Sequence, residues 1–129
     1  MHPAPLLLAL TLLALTPRSV AQPSDCPPDG DADAILRCEE TRLAAADEAL
    51  DKQYRATVRA LQDAPAPDAK AALRTLVDAQ RRWIAFRGDD CDAVYLAHHG
   101  AALRERHRLR CKTRHAEMRA RQLGAYDHD

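Results

Sequence analysis

Apolar residues recur at spacings of four and three between Leu36 and Leu61, and Leu50 and Tyr54 belong to this series. The spacing places side chains on one face of an α-helix. The segment is rich in Ala, Leu, Glu and Arg and contains neither Pro nor Gly, which favours helix along its whole length. It predicts a first helix that ends near Gln62.

Capping residues and helix breakers divide the rest of the chain into two further helices. Asp31 or Asp33 can cap the first helix, because a carboxylate accepts hydrogen bonds from the free N–H groups of the first turn. A segment with two prolines follows at 63–67, and no alternating strand pattern of useful length appears. The sequence predicts an all-α fold of about three helices. The second helix is expected from a cap at Asp68 to about Ala97, and the third from about Leu103 to Leu123.

A second apolar stripe, in the second predicted helix, also contains polar side chains. Four of its residues share one helical face: Gln80, Ile84, Arg87 and Cys91. A buried Arg is costly unless it is paired and hydrogen-bonded. If the first two helices form a long antiparallel hairpin, Arg87 lies about one helical turn from Glu40 and from Asp47. We therefore expect Arg87 to pair with one or both of these acids.

The Arg87 pair can be read as a structural ion pair that fixes helix register or as part of a catalytic site. A catalytic site would need a nucleophile, a His or a Gly-rich loop nearby, and the surrounding sequence offers none. The chain has no Ser/His/Asp or Cys/His arrangement and no phosphate loop. A hydrolase acting on wall polymers would need two exposed acids in a cleft. We interpret the protein as non-catalytic and without a cofactor.

The amino-terminal segment resembles a targeting signal. Leu6 to Leu15 form an apolar run that is too short to span a bilayer, and Ser19, Val20 and Ala21 match the small-x-small cleavage pattern. No Cys follows the run directly, which argues against a lipid anchor. We expect a signal peptide at 1–21 and a single domain at 22–129, soluble, without a transmembrane segment, and periplasmic or secreted.

The four cysteines of so small an exported domain predict two disulfides. Zinc binding is disfavoured because the spacings contain no close Cys pair. In an antiparallel hairpin Cys38 and Cys91 lie almost level, which permits a bridge between them. Sequence-local pairing is the alternative, and the spacings alone do not choose.

The chain is neutral overall, with 19 basic and 19 acidic residues, but its charge is polarised. The third predicted helix is strongly basic and includes Arg104, Arg106, Arg108, Arg110, Lys112 and Arg114. Export and the absence of interleaved aromatic residues argue against a nucleic-acid partner. The basic face either pairs with the acidic hairpin or contacts anionic envelope polymers or lipid headgroups. We expect the histidines to be exposed and to bind no metal, since His107 and His115 lack a third ligand.

Two groups of acids are expected at the cysteine-bearing end of the hairpin. Asp31 and Asp33 precede or begin the first helix, while Asp89, Asp90 and Asp92 lie near the end of the second. Such an acidic patch is suited to a cationic partner, through steering and short-range pairing. Helix capping and ordinary solvation are the alternative explanation.

A longer motif resembles a known family. It comprises Asp47, Leu50 and Tyr54, then Gln80, Trp83, Phe86, Arg87 and Cys91 after a variable turn, with Cys38 and Cys111 at matching positions. Together with Glu40, these residues resemble the lysozyme-inhibitor LprI N-terminal domain family over about residues 26–123. The matching residues look like core.

The resemblance implies that the protein binds and inhibits lysozyme in the bacterial envelope. It also favours the local disulfides, Cys26 with Cys38 and Cys91 with Cys111. The main alternative is an envelope-stress or interaction module that binds a bacterial partner or an anionic polymer through its basic third helix. The sequence gives no oligomeric state.

Overall fold

The computed structural model describes residues 25–127, apart from the side chain of Asp127, and contains three long helices. They are α1 (Ala32–Asp63), α2 (Ala69–Ala97) and α3 (Arg104–Gly124), followed by a short 3-10 turn (Ala125–Asp127). The all-α class is confirmed, and no strand occurs in the described part of the chain. The expected signal peptide lies outside the described residues.

The helix limits follow from local sequence signals. Asp31 caps α1, since its carboxylate accepts a hydrogen bond of 2.8 Å from the Ala34 N–H. Asp68 precedes α2 as expected, but its side chain makes no capping hydrogen bond. In the connection to α3, Gly100 has a φ of 86°, a conformation that favours glycine. The predicted limits agree with the structure to within about two residues.

The third helix organises the packing. Helix α3 contacts α1 and α2 more extensively than these two contact each other. It runs parallel to α1, because Glu39 pairs with Arg106 near one end and Thr57 bonds to Leu123 near the other. Helix α2 is antiparallel to both. The expected α1–α2 hairpin is therefore present in direction, but its two helices are joined mainly through α3.

A small apolar core lies where the three helices meet. Its buried members are Leu50, Leu76, Ala116 and Leu123. Tyr54 and Trp83 pack against this core and are half-buried. The expectation that Ile84 and Phe86 are core residues is wrong, because their side chains are 58% and 55% exposed. Gln80 and Cys91 of the same stripe contact α3, but Ile84 lies at the edge of that contact, beside an open hollow between α1 and α2. Phe86 meets His115 of α3 while staying largely exposed.

Two disulfides connect neighbouring cysteines in the sequence. Cys26 is bonded to Cys38 and Cys91 to Cys111, with Cα–Cα separations of 5.8 and 5.5 Å. The local pairing is confirmed, and the level bridge from Cys38 to Cys91 is wrong. The first bond fastens residues 25–31, the leader that precedes α1, to that helix. The second bond fastens α2 to α3. Across residues 25–127, none of the helices combines the length and apolar character needed to span a membrane.

Candidate functional site

The expected Arg87 ion pair joins α2 to α1. Arg87 Nη2 lies 2.8 Å from Asp47 Oδ1, and the two side chains are 15% and 45% exposed. The guanidinium also lies over the Trp83 ring, 5.5 Å from its centroid. Glu40, the other expected partner, is exposed and forms no ion pair with Arg87. The pair therefore lies at the surface of the α1–α2 interface, less buried than a core position.

An open groove between α1 and α2 surrounds this pair. We call it the α1–α2 groove, and its volume is about 320 Å³. Its lining comprises Asp47, Leu50, Asp51, Tyr54, Gln80, Trp83, Ile84 and Arg87. A second hollow of about 360 Å³ shares Asp47, Ile84 and Arg87, and Lys112 of α3 also lines it. Most of the motif residues thus form the walls of a concave surface, where the sequence suggested core.

The groove is fastened to α3 through an amide. Arg119 Nε donates a hydrogen bond of 2.9 Å to Gln80 Oε1, and Gln80 is buried. Gln80 and Arg119 therefore fix the inner side of α2 against α3. This contact explains why a polar residue stands in the apolar stripe of the second helix.

Sequence reasoning missed the most buried charge of the described chain, Glu39. Its side chain is 1% exposed and accepts from Arg106 Nε at 3.1 Å, while Arg110 Nε lies 2.9 Å from the same oxygen. Arg106 also donates to three backbone carbonyls of the leader, at Cys26, Pro27 and Pro28. The sequence signal for the burial of Glu39 was its position one helical turn after the apolar residue Ile35. Both residues are buried in the structure.

The acids of the proposed patch differ in how they are engaged. Asp90 lies 2.8 Å from His115 Nε2, and Asp92 accepts a hydrogen bond of 3.3 Å from Arg108. Among the described residues, Asp89 and Asp33 are exposed and have no ion-pair partner. Asp31, the cap of α1, is exposed and its carboxylate lies 4.0 Å from Arg37. Because α1 and α2 are antiparallel, both groups lie toward the same end of the molecule.

Much of the basic face of α3 is used inside the protein. Arg106 and Arg110 pair with α1, and Arg108 pairs with Asp92 and Glu105. The hydrogen bond to Glu105 is the main reason that the pKa of Arg108 is raised. These contacts agree with a face that pairs with the acidic hairpin.

The histidines are more engaged than expected. His98 and His107 stack with centroids 3.8 Å apart, and His115 meets the edge of Phe86 at 5.5 Å. Burial, and then the neighbouring basic side chains of His98, Arg106, Arg110 and Arg114, lower the pKa of His107. The expectation that the histidines are exposed is therefore wrong for His98, His107 and His115, which are half-buried.

One group of side chains has the composition of a metal site. Ligand atoms of Asp90, Cys91, Cys111 and His115 lie within 4.8 Å of one another. Both sulfurs belong to the Cys91–Cys111 disulfide, however, and metal binding by cysteine requires a thiolate. The remaining carboxylate and imidazole are in contact with each other, 2.8 Å apart.

The described chain is a small three-helix domain with two sequence-local disulfides and an open polar and aromatic groove. The family model described as "Lysozyme inhibitor LprI" matches residues 26–123. The chain therefore belongs to the lysozyme inhibitor LprI family. No curated protein and no solved structure matches it significantly.

Proposed function

We propose that this protein is exported, loses residues 1–21, and binds and inhibits lysozyme without catalysis. The observation that carries the proposal is the family match over nearly the whole described chain. Two disulfides support it, because such bonds persist in oxidising compartments such as the periplasm.

For the contact surface we propose the acidic end of the molecule. Asp33 and Asp89 are exposed there, and neither is held by an internal ion pair among the described residues. Exposed acids attract a cationic surface of the enzyme and accelerate association. Asp31 and Asp92 contribute charge at the same end, although both have internal partners.

The proposal is tested with a titration of lysozyme by the purified, oxidised mature protein. Lysis of a bacterial wall suspension should fall as inhibitor is added and should reach a floor near equimolar ratio if binding is tight. Lysozymes of more than one structural type should be tried. Full activity of every one in the presence of excess protein, with no complex detected by pull-down, would reject the function.

The surface is tested separately with charge-neutralising variants. Asp33→Asn combined with Asp89→Asn should slow association several-fold, and the difference from wild type should shrink as salt rises, because exposed charges are screened over about 10 Å at 0.1 M. Glu48→Gln is the matched control, since it removes an exposed acid from the middle of α1. Equal association rates for all three proteins would place the contact elsewhere.

The alternative, an envelope module acting through basic α3, has less support. Arg106, Arg108 and Arg110 are committed to internal acids, so fewer cations remain for an outside polymer. Salt-sensitive binding to an anionic wall polymer, without any lysozyme binding, would favour this alternative.

A further inference from the structure

The charges of the α1–α2 groove compensate one another. Asp47 pairs with Arg87 across the groove, and Asp51 pairs with Arg55 one turn along α1. Gln80 adds a neutral amide. The groove therefore offers hydrogen-bonding groups without a net charge among these residues, which favours a neutral ligand over an anion or a cation.

The polar groups of the groove retain unused hydrogen-bonding capacity. Arg87 Nε is buried and has no hydrogen-bond partner, and Asp47 Oδ1 makes an ion pair whose geometry is not that of a hydrogen bond. A buried polar atom without a partner costs about 1–3 kcal/mol. Both atoms are shielded from solvent, so a ligand that supplies donors and acceptors at this wall would bond to them after the two side chains turn toward it.

The rest of the lining is apolar and partly aromatic. Tyr54 and Trp83 are half-buried and line the groove together with Leu50, a buried member of the core, and Ile84 is largely exposed. Aromatic rings bind flat apolar surfaces through large contact areas. The matching ligand has an apolar face and a rim that both donates and accepts hydrogen bonds.

We propose that the α1–α2 groove binds a neutral saccharide of one or two rings. A pyranose presents an apolar C–H face to an aromatic ring and a rim of hydroxyls that both donate and accept. Carboxylate and guanidinium groups are planar and can each engage two neighbouring hydroxyls, and Asp47 and Arg87 supply one of each, while the oxygen of Gln80 is already bonded to Arg119. The groove volume of about 320 Å³ falls in the usual range for small-molecule sites.

Binding in the groove can be followed by tryptophan fluorescence, because Trp83 lines the groove and is the only tryptophan of the protein. Chitobiose and maltose, one acetylated and one not, are titrated into the oxidised mature protein while Trp83 emission is followed. At least one should give a saturable change with a dissociation constant in the millimolar range or tighter. A hexapeptide of Gly, Ala and Ser is titrated in parallel and should give none.

Two lysine variants locate the binding. Ile84→Lys puts a charged chain into the groove at a position that is 58% exposed, so the fold should persist. Ala85→Lys places the same side chain at the next exposed position, outside the groove lining. Ile84→Lys should weaken sugar binding at least tenfold and Ala85→Lys should not, with both variants keeping the wild-type unfolding midpoint. If Ile84→Lys proves unstable, Asp51→Ala serves in its place.

Three results would overturn the proposal: no saturable response to either sugar, an unchanged affinity in a folded groove variant, or an equal response to the peptide. The last would make the groove a peptide site. The proposal is independent of lysozyme inhibition, since no lysozyme is present in these titrations.

Discussion

Replacing Arg106 with Ala should destabilise the protein strongly, because it removes a central partner of the buried Glu39. The Glu39 side chain is 1% exposed, so its charge has almost no access to water. The substitution also removes the hydrogen bonds that Arg106 donates to carbonyls of the leader, including those of Pro27 and Pro28. The two prolines are exposed, so their carbonyls can bond to water instead, whereas the carbonyl of Cys26 belongs to a buried residue.

The magnitude follows from what remains around the carboxylate. Breaking a buried ion pair costs about 3–5 kcal/mol. Arg110 still lies 2.9 Å from Glu39 and Arg42 lies 3.8 Å from it, so the lower end, about 3 kcal/mol, is expected. For a domain of this size that is a shift of about 12–24 °C in Tm. Arg87→Ala should cost less, about 1–2 kcal/mol, because Asp47 is 45% exposed and can be hydrated.

The assay is urea unfolding of the oxidised proteins, followed by far-UV circular dichroism. Arg37→Ala is the control, since Arg37 and its partner Asp31 are both exposed and 4.0 Å apart. Glu39→Gln in single and double combination with Arg106→Ala isolates the coupling energy. The reasoning fails if Arg106→Ala unfolds at the same urea concentration as Arg37→Ala, or if Arg87→Ala is the more damaging change.

Three further predictions concern the cysteines, pH and processing. Thiol titration of the unfolded, unreduced mature protein should find no free thiol, and loss of either disulfide should cost about 2–4 kcal/mol. Because the pKa of His107 is lowered, the native state binds fewer protons than the unfolded chain below about pH 6.5, so stability should fall on acidification. His107→Asn should reduce that fall, and an NMR titration that puts the native pKa of His107 at or above 6.5 would contradict it. Intact mass of the exported protein should show cleavage between Ala21 and Gln22, and a full-length or acylated species would not fit.

The helix limits were predictable because caps and breakers act locally. The Asp31 carboxylate, the two-proline segment and Gly100 each influence only the residues beside them. The Arg87 to Asp47 pair was also predictable, since an antiparallel hairpin brings those positions almost level. Both predictions require the arrangement of no more than two helices to be known.

The buried Glu39 and the exposed Ile84 were not predictable in the same way. Both depend on where α3 lies, and a helical stripe alone does not say which neighbour covers it. Spacing alone places Glu40 in the apolar stripe of α1. Arg106 of α3 instead pairs with the preceding residue, Glu39. The groove was also missed, because the same apolar and aromatic residue types occur in a buried core and in the lining of an open groove.

The four cysteines of this protein are bonded in the order in which they occur along the sequence, the first to the second and the third to the fourth. For a chain that crosses a membrane amino terminus first, this connectivity matches the order of emergence. The first pair can close while most of α1 is still to be delivered, and the second needs only the start of α3. Oxidation as the cysteines arrive then yields the native pairs, without a wrong bond for thiol–disulfide exchange to correct.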